Sequence, residues 1–407
     1  MRVAYLNPNG RMGGAEVALL DMMASIREAK PDWKLHLIVA EDGVVAERAR
    51  ALGVSTNVLP FPASLARLGD ASAGGPAGNV KGRLRLFGQL LFASLAVALY
   101  VARLRRLLGR LDPELIHTNG FKMHLLGAMA KGRMVPLIWH FHDYLKARPF
   151  MSRLIKLFRR RCSIALANSN SVKLDVTSVC GDAMPVHTIY NGVDTTVFSP
   201  FGGTVDLDLL SGLPPPGRDT LRVGMVGTFA RWKGHETFLR AISLLRPDLH
   251  VRGYVVGDAL YQTDGSQYSI EELKALSSRL GVSGQVGFTG FVDSPAMAMR
   301  SLDILVHAST EPEPFGLVIV EGMACGRAVI MSEAGGAAEL VEPGINALGH
   351  PPGNAQRLAE QITSLVANVD LRRRLGVAGR ASVERRFSRS RFATELLPIY
   401  QLALASS

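Results

Sequence analysis

Short apolar runs recur along the chain, and each is followed by polar or glycine-rich residues and then by a helix-like stretch. The runs cover residues 3–6, 35–40, 115–118, 137–140 and 164–167 in the first half, and 222–226, 251–256, 285–289, 304–307 and 329–332 in the second. Strands that alternate with helices in this way predict βαβ units and a parallel sheet. Residues 199–220 separate the two series and have the Pro- and Gly-rich composition of a linker. The pattern predicts an α/β protein with two doubly wound domains, residues 1–198 and 221–387.

The composition limits the class of protein further. The chain has 407 residues, of which 47% are hydrophobic and 20% are charged. This composition excludes disordered, coiled-coil and collagen-like chains. Cys162, Cys180 and Cys325 form no CxxC pair and no even set, so we expect neither a disulfide scaffold nor a cysteine zinc site. The N-terminal residues are too polar for a signal peptide, and we expect a cytoplasmic protein.

The positive charge of the chain is confined to its first half. Residues 1–200 contain 26 Lys and Arg and 14 Asp and Glu, a balance of +12. Residues 201–407 contain 20 and 21, a balance of −1, and the two balances add up to the net charge of +11. An excess on one domain indicates an acidic or phospholipid partner for that domain, although a merely soluble basic surface explains it as well.

Two segments of the first half are candidates for contact with a membrane. Residues 86–102 are almost entirely apolar, but a span there would interrupt a βαβ crossover, so we expect a buried or membrane-touching helix. Residues 150–161 (FMSRLIKLFRRR) place Leu154, Leu157 and Phe158 on one helical face, surrounded by basic residues. This helix either lies on an anionic membrane surface or covers the sheet with a solvated basic side.

The strongest chemical signal is a pair of glutamates in residues 313–321 (EPFGLVIVE). The preceding DILVH reads as a strand, and a helix is predicted to begin after Gly316, so the pair lies at the carboxyl end of a parallel strand. Ligands bind at that edge of a doubly wound sheet, and a helix N-terminus offers free N–H groups to a phosphate. We expect Glu313 to accept hydrogen bonds from sugar hydroxyls and Glu321 to reach a ribose.

A second cluster follows the first strand of the second half, in residues 227–234 (GTFARWKG). Arg231 and Lys233 extend from this glycine-bounded loop and are suited to hold a diphosphate. Two cations at that place offset the charge that develops on a phosphate leaving group. The loop lacks the spacing of a Walker A motif. The loop is weak evidence alone, and it becomes strong together with the glutamate pair.

These motifs resemble those of glycosyltransferase family 4, whose members are retaining enzymes of GT-B architecture. In the second half the resemblance rests on VGTF, KG, VGD, FTGFV, STEPEPFGLVIVE, GMACG and EAGGAAE, and in the first half on GGAE, HD, NS and IYNGVD. It implies two Rossmann-like domains that face each other across a cleft. The first would bind an acceptor and the second a nucleotide sugar. Residues 388–407 would form a helix that packs back onto the first domain.

The resemblance also implies a role for each site residue. Arg231 and Lys233 would hold the donor diphosphate, and Glu321 would hold the ribose. Glu313 would hold the transferred sugar. His142 would lie beside the reacting sugar and the acceptor, and it completes a catalytic set with Glu313 and the two cations. The remaining donor contacts would be Gly13, Gly14, Thr228, Phe291, Val292, Phe315, Gly316, Leu317 and Val318.

Enzymes of this family need no metal ion, so we expect neither a metal nor another cofactor. Asp206 and Asp208 form an Asp-x-Asp sequence that resembles a metal-binding motif. They lie in the predicted linker and are interpreted as solvated surface. We also expect His140 and His142 to point to opposite faces of a strand, which would keep them from binding one ion together.

The leading hypothesis is a metal-independent, retaining hexosyltransferase that uses a UDP- or GDP-sugar. The basic first half and residues 86–102 favour a lipid-linked or surface-polysaccharide acceptor and a peripheral position on the inner face of the plasma membrane. One alternative is a non-catalytic nucleotide-sugar-binding protein, which the same residues would serve. Another is an epimerase or phosphorylase of the same architecture. A nucleic-acid partner is not expected, because no reading motif appears and the basic residues interleave with aliphatic ones.

Overall fold

A computed structural model of the chain describes residues 1–62, 80–259 and 266–405. The segment 71–78, which its composition predicts to be a surface loop, lies outside these residues. The contacts divide the chain into two units, Met1–Tyr190 with Ser390–Ser407, and Asn191–Arg389. Residues 199–220, predicted as a linker, belong to the second unit. Each unit contains one sheet of parallel strands, which confirms the predicted doubly wound α/β class.

The first unit is built on a seven-stranded sheet. Its strands are β1 (Arg2–Asn7), β2 (Lys34–Val39), β3 (Ser55–Val58), β4 (Leu115–Asn119), β5 (Leu137–Phe141), β6 (Ile164–Ala167) and β7 (Val186–Thr188). Their order in the sheet is β3-β2-β1-β4-β5-β6-β7. The helices of the N-terminal segment are α1 (Gly14–Ala29), α2 (Val44–Ala51), α3 (Val80–Leu111), α4 (Phe121–Ala130), α5 (Pro149–Phe158) and α6 (Asn170–Cys180).

The second unit contains a six-stranded sheet. Its strands are β8 (Leu221–Val226), β9 (Val251–Val256), β10 (Val286–Gly290), β11 (Ile304–His307), β12 (Ala328–Ser332) and β13 (Leu348–His350). Their order is β10-β9-β8-β11-β12-β13, so the direction of winding reverses between β8 and β11. The helices are α7 (Leu207–Ser211), α8 (His235–Ser243), α9 (Ile270–Arg279), α10 (Pro295–Arg300), α11 (Leu317–Ala324), α12 (Ala355–Ala367) and α13 (Val369–Arg386). The last helix of the chain, α14 (Arg391–Ala405), belongs to the first unit.

The first sheet has a core on each face because its central strands are apolar on both sides. Every residue of β4 and β5 is buried. Successive side chains point to opposite faces, so Trp139 and Ile138 belong to different hydrophobic clusters. The cluster that contains Ile138 also includes Phe392, Leu396 and Tyr400 of α14. The last helix therefore covers the same face of this sheet as α1.

The helix that contains residues 86–102 packs on the first core with one side. Among its described side chains, Tyr100, Leu104 and Leu108 are buried, whereas Leu99 is exposed. In the part of the chain that the structure describes, no helix combines the length and the apolar character that crossing a membrane requires.

The sequence left open whether the basic helix α5 covers the sheet or lies on a membrane surface, and the structure shows features of both. Leu154 and Phe158 pack against the core of the first unit, and Ile155 is fully buried. Leu157, expected on the same face as Leu154 and Phe158, is 72% exposed. Phe150 at the start of the helix is also exposed. The helix thus covers the sheet and still presents two large apolar side chains to solvent.

The interpretation of Asp208 as solvated surface is wrong. Asp206 is exposed and caps α7, where it accepts two backbone N–H groups at 3.0 Å. Asp208 is only 3% exposed and accepts hydrogen bonds from Arg222 at 2.9 Å, from Tyr254 at 2.6 Å and from Arg252. Burial by itself would raise the pKa of Asp208, but these hydrogen bonds outweigh it and hold the pKa below its ordinary value. Asp208 therefore anchors residues 199–220 to the second sheet.

Candidate functional site

The candidate site of the second unit lies at the carboxyl ends of β8 and β11. These strands are neighbours in the sheet, and the winding direction reverses between them. In doubly wound sheets, ligands bind at this switch point. Lys233 ends a short 3-10 turn after β8, and Glu313 lies on the loop after β11. The topology thus brings together two residues that are far apart in sequence.

A glycine allows the two loops to approach each other closely. Gly234 follows the turn of Lys233 and has a φ of +78°, in the left-handed region. A Cβ atom at this position would overlap the carbonyl oxygen of Ala308, which directly follows β11. Only glycine satisfies both demands. The close approach places Lys233 beside the loop that carries Glu313.

Lys233 and Glu313 form a hydrogen-bonded ion pair. Nζ of Lys233 donates to Oε1 and Oε2 of Glu313 at 2.7 and 2.9 Å. Oγ of Ser309 donates to Oε2 at 2.8 Å, and Nε2 of His307 lies 3.2 Å from the same oxygen. Nδ1 of His307 accepts the backbone N–H of Ser332 at 3.4 Å, so the proton of a neutral ring is on Nε2 and points at the carboxylate. Three donors therefore fix the orientation of Glu313.

These donors keep the buried carboxylate of Glu313 ionised. Burial would raise its pKa, but the positive charge of Lys233 and the hydrogen bond from His307 outweigh burial. They hold the pKa far below the ordinary value of a glutamate. An ammonium group has three N–H bonds, and two of those of Lys233 are directed at Glu313. The pair offers a fixed negative acceptor next to a cation.

The N-terminus of α11 adds hydrogen-bond donors to this edge of the sheet. Gly316 precedes the helix with a φ of +93°. Phe315 is buried and meets Phe387 edge to face, with ring centres 6.0 Å apart, which anchors the start of the helix. The first N–H groups of a helix have no acceptor within the helix. Those of Leu317 and Val318 are therefore suited to bind an anion at the positive end of the helix dipole.

The side chain of Arg231 contacts α9 and the segment that precedes it. Its guanidinium donates to Oε1 of Glu272 at 2.7 Å and lies 4.3 Å from the centre of the Tyr268 ring. About half of the side chain is exposed. The hydrogen bond to Glu272 raises the pKa of Arg231 above its ordinary value. The structure thus brings together Lys233 and Glu313 of the predicted set, and it pairs Arg231 with a residue that the sequence did not suggest.

The other predicted donor contacts of the second unit follow its strands or lie on α11. Thr228 follows β8 and is half-buried, as is Val292 after β10. Phe291, also after β10, is exposed. Glu321 lies in the second turn of α11 and is half-buried. The carboxyl ends of parallel strands meet at one edge, so the contacts that follow β8 and β10 share an edge with the ion pair.

The predicted site residues of the first unit lie at the carboxyl ends of β1 and β5. Gly13 precedes α1 and Gly14 is its first residue. His142 directly follows β5, and its ring contacts that of His140, with ring centres 4.0 Å apart. The expectation that these two histidines point to opposite faces was wrong, because residues two apart along a strand share a face.

The contact between the two histidines raises the question of whether they belong to a metal site. Among the described residues, no group of three or more His, Cys, Asp or Glu side chains is arranged to hold a metal ion. Both ring nitrogens of His142 are buried and have no hydrogen-bond partner in the described part of the chain. Burial lowers the pKa of His142 to about 3, so the ring is neutral.

Sequence reasoning missed His307 and Ser309, the two side chains that support Glu313. Both are buried. His307 is the last residue of β11, and the sequence HAS marks the end of that strand. A polar residue that ends an apolar strand just before a glutamate motif is the signal that could have found them. Their partners become evident only when the loops are folded.

The geometry defines the class of protein. A parallel sheet that carries a cation, a fixed carboxylate and a helix N-terminus at its switch point is suited to a ligand with both phosphates and hydroxyl groups. The profile of Glycosyltransferase Family 4 matches residues 12–197, and that of Glycosyl transferases group 1 matches residues 220–368. The chain belongs to this glycosyltransferase family, which confirms the resemblance of its motifs.

Two curated relatives match part of the chain. The alpha-maltose-1-phosphate synthase of Mycolicibacterium smegmatis is 31% identical over 252 residues, which cover 58% of this chain and 62% of that protein. The lipopolysaccharide core biosynthesis glycosyltransferase LpsE of Rhizobium meliloti is 31% identical over 164 residues, 40% of this chain and 45% of LpsE. The chain therefore spans less than two thirds of the length of these relatives.

A solved structure matches nearly the whole chain. The crystal structure of HepE from Anabaena in complex with UDP has a TM-score of 0.77 and 26% sequence identity, and the match covers 98% of this chain and 100% of that one. The structure of HepE in complex with UDP-glucose matches with a TM-score of 0.76 and the same identity, over 98% of this chain and 99% of that one. The GT-B fold class is thus confirmed across both units.

Proposed function

We propose that the protein transfers a hexose from a UDP-sugar to a glycan acceptor, with retention of the anomeric configuration and without a metal ion. The observation that carries the proposal is the Lys233–Glu313 pair beside the N-terminus of α11. A cation and free N–H groups next to an ionised carboxylate match a ligand that has a diphosphate at one end and hydroxyls at the other. The complexes of HepE with UDP and UDP-glucose support uracil as the donor base.

The predicted site residues of the second unit bind different parts of the donor in this proposal. Lys233 holds the donor diphosphate together with the N-terminus of α11. Arg231 lies on the same loop and adds a second cation when its half-exposed side chain turns away from Glu272. Glu313 accepts hydrogen bonds from the hydroxyls of the sugar, and Glu321 binds the ribose. Residues 291–292 contact the base. The residues bind the two ends of the donor through opposite charges.

The proposed reaction breaks the bond between the sugar and the distal phosphate. Positive charge develops on the sugar ring, and negative charge develops on the phosphate oxygen that leaves. Lys233 and the N-terminus of α11 stabilise that negative charge. The acceptor hydroxyl attacks from the face that the phosphate leaves, and the departing phosphate oxygen takes its proton, so the configuration is retained. His142 is the residue of the first unit that we expect next to the reacting sugar.

Binding of nucleoside diphosphates in EDTA tests the donor site. We expect UDP to stabilise the wild-type protein by about 2.7 kcal/mol at 100 times its Kd. Lys233→Ala should weaken UDP binding in calorimetry, whereas Arg240→Ala on the exposed side of α8 should leave it unchanged. Stabilisation by GDP alone would show that the donor base is guanine and not uracil. A response that needs a divalent ion, or none to any nucleoside diphosphate, would contradict the proposal.

Product analysis distinguishes the transferase from its alternatives. With UDP-glucose and an acceptor, we expect UDP release that depends on the acceptor, and an α-linked product by NMR. Binding of UDP-glucose without any transfer or hydrolysis would favour a nucleotide-sugar-binding protein. A β-linked product would contradict retention.

We further propose that the acceptor is lipid-linked and that α5 meets an anionic membrane surface. Leu157 and Phe150 are exposed on this helix, next to the basic residues 153, 156 and 159–161. Apolar side chains among basic ones bind anionic bilayers, with roughly 1 kcal/mol for each basic residue near the surface. The name of LpsE, which refers to lipopolysaccharide core biosynthesis, supports an acceptor of this kind.

Sedimentation with lipid vesicles tests this membrane contact. We expect binding to phosphatidylglycerol vesicles that weakens with salt, and none to phosphatidylcholine vesicles. Leu157→Glu should reduce the binding. Leu174→Glu is the matched control, because Leu174 of α6 is 69% exposed and Leu157 72%. Equal binding by the two variants would contradict a role of α5.

A further inference from the structure

Five aromatic side chains connect the last helix of the chain with His142. The hydroxyl of Tyr400 on α14 lies 2.8 Å from Nδ1 of His117 on β4, and it donates to the hydroxyl of Tyr5 on β1 at 3.3 Å. Nε2 of His117 lies 3.3 Å from Nδ1 of His140 on β5. The ring of His140 contacts that of His142. We name these five residues the histidine–tyrosine chain.

The histidine–tyrosine chain is part of the core of the first unit. Tyr5, His117 and Tyr400 are fully buried or nearly so, and His140 is buried with them. Burial lowers the pKa of His117 to about 3 and also lowers that of His140 well below its ordinary value. Burial likewise raises the pKa values of both tyrosines. All members are therefore neutral, and each histidine has one N–H and one bare nitrogen.

The hydroxyl of Tyr400 has one proton, which it donates to Tyr5, so its oxygen accepts from Nδ1 of His117. Nε2 of His117 then accepts from Nδ1 of His140, which leaves Nε2 of His140 bare. The tautomer of His140 is therefore tied to the direction of a hydroxyl group on α14.

The open end of the histidine–tyrosine chain lies at the carboxyl edge of the first sheet. Nε2 of His140 is buried without a hydrogen-bond partner among the described residues, and so are both ring nitrogens of His142. Buried polar atoms without partners are rare and require an explanation. Ligands of doubly wound sheets bind at this edge. A hydrogen-bonding group of a ligand would provide the missing partner.

We propose that Tyr400, His117 and His140 are positioning residues for His142, because their hydrogen bonds fix the tautomer and the ring of His140, which packs against the ring of His142. The inference rests on the proposed function, in which His142 lies next to the reacting sugar. Without the hydroxyl of Tyr400, Nδ1 of His117 has no partner, and the order of protons along the chain is no longer fixed. The ring of His140 is then held less firmly, and the ring of His142 that packs against it loses a fixed neighbour.

Tyr400→Phe tests the proposal because it removes only the hydroxyl from the chain. Tyr100→Phe is the matched control. Tyr100 is also buried in the first unit, and its hydroxyl donates to the carbonyl oxygen of Leu59 at 3.2 Å, outside the histidine–tyrosine chain. In ¹⁵N NMR of the ring nitrogens, Tyr400→Phe should shift the signals of His117 and His140, and Tyr100→Phe should not. Unchanged signals in Tyr400→Phe would overturn the proposal.

Kinetics of sugar transfer provide the second measurement. Tyr400→Phe should lower kcat about fivefold, the effect of one lost hydrogen bond, while the KM of the donor stays the same. Tyr100→Phe should leave kcat within about twofold. Equal kcat values in the two variants would overturn the positioning role. If the wild-type protein transfers no sugar, the proposed function fails, whereas the NMR signals still decide whether the histidine–tyrosine chain sets the tautomer of His140.

Discussion

Replacement of Lys233 by methionine tests whether the ion pair of the candidate site stabilises the fold. Methionine keeps the aliphatic part of the side chain and removes the charge. The side chain of Glu313 is only 9% exposed, so its carboxylate would remain buried with Ser309 and His307 as its hydrogen-bond partners. Removing one partner of a buried ion pair costs about 3–5 kcal/mol, because the remaining charge is not compensated. We expect a loss of about 3 kcal/mol, at the lower end of this range, because Lys233 is itself 23% exposed.

The loss of stability is predicted to depend on pH. The pKa of Glu313 in the folded protein lies below its ordinary value of 4.5. Its contribution to the free energy of unfolding is therefore fully present above that value and is lost as the pH falls toward the folded pKa. In Lys233→Met the folded pKa rises. The difference between wild type and variant should thus be widest at neutral pH, and it should narrow as the pH falls through the raised pKa of Glu313 in the variant toward its lower pKa in the wild type.

Urea unfolding of a double-mutant cycle measures the pair. Lys233→Met and Glu313→Gln each leave one partner alone, whereas the double variant has neither charge of the pair, so we expect a coupling energy of at least about 1.5 kcal/mol. Arg240→Met is the control, since it breaks an exposed pair with Glu236 on α8 and should cost at most about 0.5 kcal/mol. The reasoning is refuted if Lys233→Met costs no more than Arg240→Met, or if the two single losses simply add up.

Two further predictions concern the backbone and the buried aspartate of the second unit. Gly234→Ala should leave no stable folded state in a thermal unfolding measurement, because its Cβ would overlap the carbonyl of Ala308. Gly281→Ala should cost only about 1–2 kcal/mol, because nothing lies within 4 Å of its Cβ and only its φ of +72° is unfavourable. Asp208→Asn should destabilise the protein by about 3 kcal/mol because it leaves two arginines without their anion. Asp206→Asn should leave stability nearly unchanged, since Asn caps a helix as well as Asp. Equal losses in either matched pair would contradict these contacts.

The sequence predicted the central strands because buried parallel strands are continuous apolar runs. The strands that it missed are β3 (STNV), β7 (VHT) and β13 (LGH). All three lie at an edge of their sheet. Edge strands are short and partly polar because one side of the strand is not covered by a neighbour. Their pairing follows from the sheet that is already present, and the local pattern of hydrophobic residues does not reveal it.

The sequence predicted those features of the candidate site that depend only on the loop that carries each residue. Lys233 and Glu313 come from separate loops that end neighbouring strands, and their type and position were evident from the sequence. The partner of Arg231 was not, since Glu272 is placed by the packing of α9. The partners of Asp208 likewise come from β8 and β9. The Pro- and Gly-rich sequence around Asp208 indicated a linker and gave no sign of these buried contacts. Contacts between distant elements give no signal in local composition.

Lys233 both stabilises the fold and supplies a cation to the proposed donor site. The double variant Lys233→Met/Glu313→Gln separates these two roles. Substitution of Lys233 alone lowers stability and removes a cation from the donor site, so a reduced thermal response to UDP has two causes. In Lys233→Met with Glu313→Gln, the buried charges are absent and much of the stability should return, but neither the cation nor the carboxylate is left for the donor. If this variant is stable but does not bind UDP-glucose, the charges of the pair are required for binding of the ligand and not for folding. If UDP-glucose binds with its wild-type Kd, the N-terminus of α11 and Arg231 hold the donor without the pair, and the proposed roles of Lys233 and Glu313 are wrong.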